Sequence, residues 1–303
     1  MTQEAEITVN NPGIISIILP TRGRVKSGAL ERSLLSILDT AEHPGRIEIM
    51  LGVDEDDQES LDWLENTGKD FVEPYKCGLK AKVFKPLGYK QLHVYVNLLS
   101  HSSSGEWLFL WNDDAIMQTQ GWDMEVDQYN GQFRLLAPSD NHDHPMAIFP
   151  LIPMDWFTLV DCWSMNSQND TWVSQIAKMN DIFTRCEFKV LHDRADLTGE
   201  NDDETFKNRK YMEGNPDDPQ DFNHPNMSQA RMHHATKVDW FLKRTGQITA
   251  PSYFEKMLQG KVNPFANLVD GHNPKGAGQL GSINPTVDTA PKTKLPDDTV
   301  LKL

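Results

Sequence analysis

The chain has 303 residues, 38% hydrophobic and 24% charged, which is enough for one large domain or two small ones and too rich in aromatics for a disordered chain. A formal net charge of −15 makes a nucleic acid polymer a poor first partner, although a divalent ion can still bridge acidic side chains to a nucleotide's phosphates. Three cysteines without CxxC spacing, an opening MTQEAEITVNNPG without a leader's basic start and apolar core, and no apolar run of about 20 residues give the expectation of a soluble, cytoplasmic protein with no integral membrane segment.

The stretch GIISIILP, residues 13–20, is a β-branched apolar run broken by Pro20 and TRGR, and reads as a buried strand. In SGALERSLLSILDT, Leu30, Leu34, Ile37 and Leu38 recur at helical spacing, with Ser27 in the N-cap place. IEIMLGV, residues 47–53, is a second strand that runs into the acidic DEDDQE; AKVFKPL, residues 81–87, is a third. YKQLHVYVNLLSHSSS predicts a helix entering a small polar loop, and EWLFLW, residues 106–111, a fourth strand. Nearly continuous apolar strands separated mostly by helices predict an α/β fold whose largely parallel sheet is covered on both faces. In such a sheet ligands bind at the carboxyl ends of the strands, where residues 21–24, 54–57 and 112–114 fall.

The second half is more irregular. MAIFPLIPMDWFTLV predicts a strand and then a short helix beginning near Met154, and DTWVSQIAKMNDI a helix with Asp170 at its N-cap. CEFKVLHD predicts a strand ending at His192. From about Ala195 the chain turns polar, with one further helix around SQARMHHATKVDWFLKR. Residues 261–303, rich in Pro, Gly and Thr, are expected to form a flexible tail or clasp, leaving 1–260 as the folded body.

Burying carboxylates costs several kcal/mol unless something pairs with them. Asp113 and Asp114 follow the apolar run EWLFLW with only Asn112 between, so either the strand stops at the surface or the pair holds a hard divalent cation such as Mg²⁺ or Mn²⁺. An ordinary solvated loop is the competing reading. His142 and His144 in NHDH read as a solvated turn, and DEDDQES lacks the Gly and the terminal Glu of a calcium loop. Trp156, Trp163 and Trp172 are candidates for stacking on a sugar, or for the core.

Taken in order, ISIILPTRGR, IEIMLGVDEDD and GYKQLHVYVNLLSHSSSGEWLFLWNDDA resemble the nucleotide-sugar-binding half of the GT-A glycosyltransferases, in particular inverting family 2, over about residues 14–193. The resemblance implies a Rossmann-like, mostly parallel central sheet flanked by helices, with a nucleotide-sugar half over about 14–115 and an acceptor half over about 116–260. It implies donor contacts at Pro20, Thr21, Arg24, Asp54, Asn97 and Asp113, a direct metal ligand at Asp114, a second at His192, and a catalytic base at Asp170 in NSQNDTW. The expected activity is transfer of a sugar from a nucleotide-sugar, UDP-linked in the first instance, to a glycan or other hydroxyl acceptor, with Mn²⁺ or Mg²⁺ as cofactor. Three positions depart from the family pattern: Asn112 replaces the first acid of Asp-x-Asp, Val96 stands where Arg is common, and Asn169 replaces a Glu. Two alternatives stay open. A sugar-phosphate nucleotidyltransferase would carry a Gly-rich loop after the first strand, where PTRGR has only Gly23; a non-catalytic carbohydrate-binding or virion-associated protein could keep the fold without the chemistry.

Overall fold

The computed structural model describes residues 11–142, 144–198, 217–247, 256, 259 and 300–301. Strands β1 (Asn11–Thr21), β2 (Ile47–Asp54), β3 (Gly78–Phe84) and β4 (Gly105–Leu110) pair in parallel in the order β3-β2-β1-β4. Between them run α1 (Ala29–Thr40), α2 (Gln58–Trp63) and α3 (Lys69–Val72), then α4 (Leu92–His101). β2 is buried at every position, as a strand covered on both faces must be. On β1, Ile15, Ile17 and Leu19 enter one hydrophobic cluster with the apolar face of α1, while Ile18 enters a second with Leu99 of α4. Alternation along the strand therefore feeds two cores.

Beyond β4 the sheet becomes mixed. β5 (Ala115–Met117), β6 (Leu135–Asp140), β7 (Leu151–Pro153) and β8 (Phe183–His192) extend it, and β9 (Val300–Leu301) lies against β3, giving the order β5-β8-β6-β7-β4-β1-β2-β3-β9. β7 is antiparallel to β4 and to β6, whereas β8 is parallel to β6 and antiparallel to β5. The helices of this half are α5 (Trp122–Asp127), α6 (Met154–Val160), α7 (Asn169–Met179), α8 (Ala195–Thr198) and α9 (Pro225–Arg244). None of the described helices is long and apolar enough to cross a membrane.

Several sequence expectations need correction. The third strand stops at Phe84, ahead of Pro86, which has no N–H to give a ladder. Ser27 is not the N-cap of α1: Gly28, at φ 70°, takes that place, and the Ser27 hydroxyl only reaches Ala29 N at 3.4 Å. Asp170 lies inside the first turn of α7, one residue past Asn169, because Gln168 is the N-cap. β5 and β6 are additional to the expected strands, and Pro138 within β6 coincides with a register shift between Ala137 and Ser139 against β8. Of the expected tail, only Val300 and Leu301 lie within the described residues, paired with Lys82 and Ala81. The free cysteines Cys77, Cys162 and Cys186 are held by burial at thiol pKa values of about 11, about 12 and about 12.

At the amino ends of the strands, one carboxylate joins three of them. Glu48 on β2 is 5% exposed and accepts from Ser16 Oγ on β1 at 2.6 Å, from Ser104 N at 2.9 Å and from Ser104 Oγ at 2.9 Å, while the Lys80 ammonium on β3 pairs with it. Ser16 Oγ in turn accepts from Gly105 N at 3.0 Å. A Cβ on Gly105 would lie 2.6 Å from that hydroxyl and 2.8 Å from Ile14 O, so β4 enters the sheet at this point only as glycine. Burial pushes the Glu48 carboxyl up, but Lys80, Ser16 and Ser104 outweigh it and hold the group below its usual range. Lys80 is 38% exposed, so solvent screens part of its charge, and the serine donors add to its hold on the carboxylate. Glu48→Gln should cost about 2 kcal/mol at pH 7. A carboxylate with a depressed folded pKa contributes fully above its unfolded value, near 4.3, and loses that contribution as pH falls through the folded value. The Tm difference between wild type and variant should therefore shrink from pH 7 to pH 3 in thermal melts; an equal difference at both would reject the assignment.

Candidate active site

The parallel strands deliver their carboxyl ends to one edge. Trp111 N donates to Ile18 O at 3.0 Å, which carries β4 one step beyond Leu110 alongside β1. Asn112 O then accepts from Ser33 Oγ at 3.0 Å and from Ala115 N at 3.1 Å, so the chain turns over α1 and leaves as β5. Within that turn, Asp113 accepts from Thr21 Oγ1 at 2.7 Å and pairs with Arg24 Nε at 3.1 Å. Thr21, Arg24 and Asp113, three of the expected donor contacts, thus form one largely covered cluster, and Pro20 precedes it in β1 opposite Gly52.

Asp54 closes β2 beside this cluster. Its Oδ1 accepts from the Tyr95 hydroxyl at 2.5 Å and its Oδ2 from Arg22 at 2.7 Å, and Arg22 also pairs with Asp56. Tyr95 OH accepts in turn from Leu87 N at 2.9 Å. Burial first, and then the Asp54 carboxylate, hold the phenol above its usual range, so it stays a donor to Asp54. Asp57 completes the rim by accepting from Gly23 N at 2.8 Å and from Ser60 Oγ at 2.6 Å.

Asp114 and His192 meet because β5 and β8 are antiparallel neighbours with Ala115 opposite His192. Asp193 N donates to Asp114 O at 2.8 Å, and His192 Nε2 stands 3.3 Å from Asp114 Oδ1, with side chains 5% and 11% exposed. The contact is not aligned as a hydrogen bond: Asp114 Oδ1 and His192 Nδ1 are both buried without a hydrogen-bond partner. Burial pushes the Asp114 carboxyl up, and the His192 imidazole, with Arg24 beyond it, more than offsets that, leaving it below its usual range. Adjacent ligands of an octahedral hard cation at about 2.1 Å from the metal stand about 3.0 Å apart. An orphaned carboxylate oxygen 3.3 Å from an imidazole nitrogen fits two neighbouring positions of such a shell. Among the described residues no group of three or more His, Cys, Asp or Glu is arranged to hold a metal. A cation here would have two protein ligands, the arrangement typical of ions that keep waters and substrate phosphates.

The remaining candidates divide. Asp170 opens α7, and its carboxylate acts on His144, whose pKa is lowered by burial and only partly restored by that charge. Asn97 is engaged away from the Thr21, Arg24 and Asp113 cluster: Oδ1 accepts from Trp163 N at 2.7 Å and Nδ2 donates to Ser164 O at 2.8 Å, so it holds the loop that leads into α7. Trp156, Trp163 and Trp172 are each 0% exposed and belong to the second core, so none offers a face to a sugar. Arg22, Tyr95, Asp57 and Arg32, which pairs with Asp193 at 3.1 Å, were missed by the sequence reading. Of these, Arg22 and Asp57 lie within residues 21–24 and 54–57, which the sequence placed at the strand ends without giving either a role.

No family profile matches the sequence, and no curated protein does. Among solved structures, the chain is similar to the mannosyltransferase PcManGT from Pyrobaculum calidifontis in complex with GDP-Man and Mn²⁺, at 10% identity and a TM-score of 0.49 over 81% of this chain and 79% of that one. It is similar also to S. aureus TarS 1-349 in complex with UDP-GlcNAc, at 12% identity and a TM-score of 0.47 over 82% and 92% of the two chains. Against the longer S. aureus TarS structure the match covers 60% of this chain and 37% of that one. At these scores the reading of function rests on the site's own geometry.

Proposed function

We propose that the chain is a metal-dependent inverting glycosyltransferase that moves a sugar from a nucleotide-sugar to an acceptor hydroxyl. The observation that carries this reading is the Asp114 and His192 pair: an orphaned carboxylate oxygen beside an imidazole, at the edge where the parallel strands end. Asp114 and His192 would hold Mn²⁺ or Mg²⁺. The bound ion supplies neutralisation of the charge that grows on the leaving diphosphate.

The protein's own groups do the rest. Asp54, oriented by Tyr95 and Arg22, and the backbone near Pro20 and Thr21 hold the base and ribose, with Asp113 as a ribose contact fixed by Thr21 and Arg24. Asn97 acts through the loop it ties down. Asp170 accepts the acceptor's hydroxyl proton as that oxygen bonds to the anomeric carbon, and the bond from that carbon to the diphosphate oxygen breaks on the opposite face. A carboxylate is ionised at neutral pH, so its value as a base lies in position. A UDP-linked donor is the first to test.

Calorimetric titration of UDP should give binding that strengthens when Mn²⁺ is added, and Asp114→Ala should lose that strengthening; equal metal dependence in the variant would remove Asp114 from the site. Asp170→Asn should lower transfer by about 100-fold or more while UDP affinity changes less than about twofold. Transfer retained in Asp170→Asn would assign the base elsewhere, and no affinity for UDP, GDP or any nucleotide-sugar would favour a glycan-binding protein instead.

A further inference from the structure

β8 ends in His192, and the main chain of that residue is gripped by a side chain. Beyond the register shift at Pro138, β6 pairs with β8 through Ser139 opposite Lys189 and Asp140 opposite Val190, and Asn141 follows. Its Oδ1 accepts from His192 N at 2.7 Å, and its Nδ2 donates to His192 O at 3.2 Å. The amide thus stands where the next peptide group of a neighbouring strand would stand, and it satisfies the donor and the acceptor that the strand end leaves over. On the other flank, Asp193 N bonds to Asp114 O, and the His192 ring meets the edge of Phe149 at 5.1 Å between centroids. The imidazole is therefore aimed by three neighbours, of which Asn141 alone acts through a side-chain amide.

The segment that begins at Asn141 is anchored at its far end as well. Arg185 donates to His144 O at 2.6 Å, and Ala147 N donates to Ser174 Oγ at 3.0 Å. Ser174 lies one turn after Asp170 on α7, so the segment runs from the main chain of His192 to the helix that bears Asp170. Asn141, His144 and Ala147 are its three anchors, and Asn141 is the one that touches His192.

We infer that Asn141 is a positioning residue for the cation site: its amide fixes the His192 main chain so that the imidazole nitrogen keeps its place beside Asp114. The inference rests on the proposed function, in which His192 is a metal ligand. Contacts that orient a ligand histidine typically govern metal affinity by 10- to 100-fold. Capping a strand end, by contrast, affects stability and leaves the affinity of the folded protein unchanged.

The test uses the full chain, Mn²⁺ as the probe, and UDP at fixed concentration. Free Mn²⁺ is read by electron paramagnetic resonance, and pulsed measurements read coupling of the bound ion to a directly coordinated nitrogen. Asn141 is exposed, so Asn141→Ala and the bulkier Asn141→Leu both leave the core intact. Both should bind Mn²⁺ at least about 10-fold more weakly than wild type and lose or alter the nitrogen coupling, with UDP binding in the absence of metal unchanged. Variants that bind Mn²⁺ as wild type does, with the same coupling, overturn the inference and leave the cation site standing. Wild type without nitrogen coupling, or His192→Ala with undiminished Mn²⁺ affinity, overturns both the inference and the assignment of His192.

Discussion

The site depends on one pairing, that of β5 with β8. β5 is the three-residue continuation of the turn that carries Asp113 and Asp114, and β8, whose buried apolar residues belong to the first core, lies antiparallel against it. Along β8 the buried positions are Cys186, Phe188, Val190 and His192, a stripe of period two. His192 is inside because it is in phase with that apolar stripe. Where the stripe ends, a polar ring replaces an apolar one and faces a carboxylate. Placement of the imidazole is thus a by-product of burying Phe188 and Val190, both almost fully covered, in the first core, where Phe188 meets Phe109 and Trp122.

Charge is distributed around this pairing with a single gap. Asp113 has Arg24, Asp54 has Arg22, and Asp193 has Arg32. Asp114 faces an imidazole and keeps one oxygen without a hydrogen-bond partner. Arginines thus pair with Asp113, Asp54 and Asp193, and none pairs with Asp114. The same arrangement explains why Asp113 and Asp114, adjacent in sequence, have different surroundings: one turns back to β1 and the other meets β8.

Much of this was legible in the sequence, and the failures have local causes. β1 to β4 were readable because each is a nearly continuous apolar run, and α1 because its apolar residues share one face. β5 is too short to show a period, and β6 contains Pro138, which argues against a strand until its neighbours are seen. That Thr21, Arg24, Asp54 and Asp113 share one edge was readable because strand ends of an α/β sheet converge. Asn97 was expected there too, but its partners at Trp163 and Ser164 lie far along the chain, and no local pattern announces them. Tyr95 was hidden for the opposite reason, since an aromatic on an apolar helix reads as core while its hydroxyl alone reaches Asp54.

The buried thiols have a practical side. With Cys77 near pKa 11, and Cys162 and Cys186 near 12, almost no thiolate forms at neutral pH. A cysteine introduced on an open surface, with an ordinary pKa of about 8.5, would present roughly 300-fold or more thiolate than any of them. The native sequence is thereby a nearly silent background for site-selective labelling. A dye or spin label could be set on the rim of the crevice and read without first stripping the chain of its own cysteines.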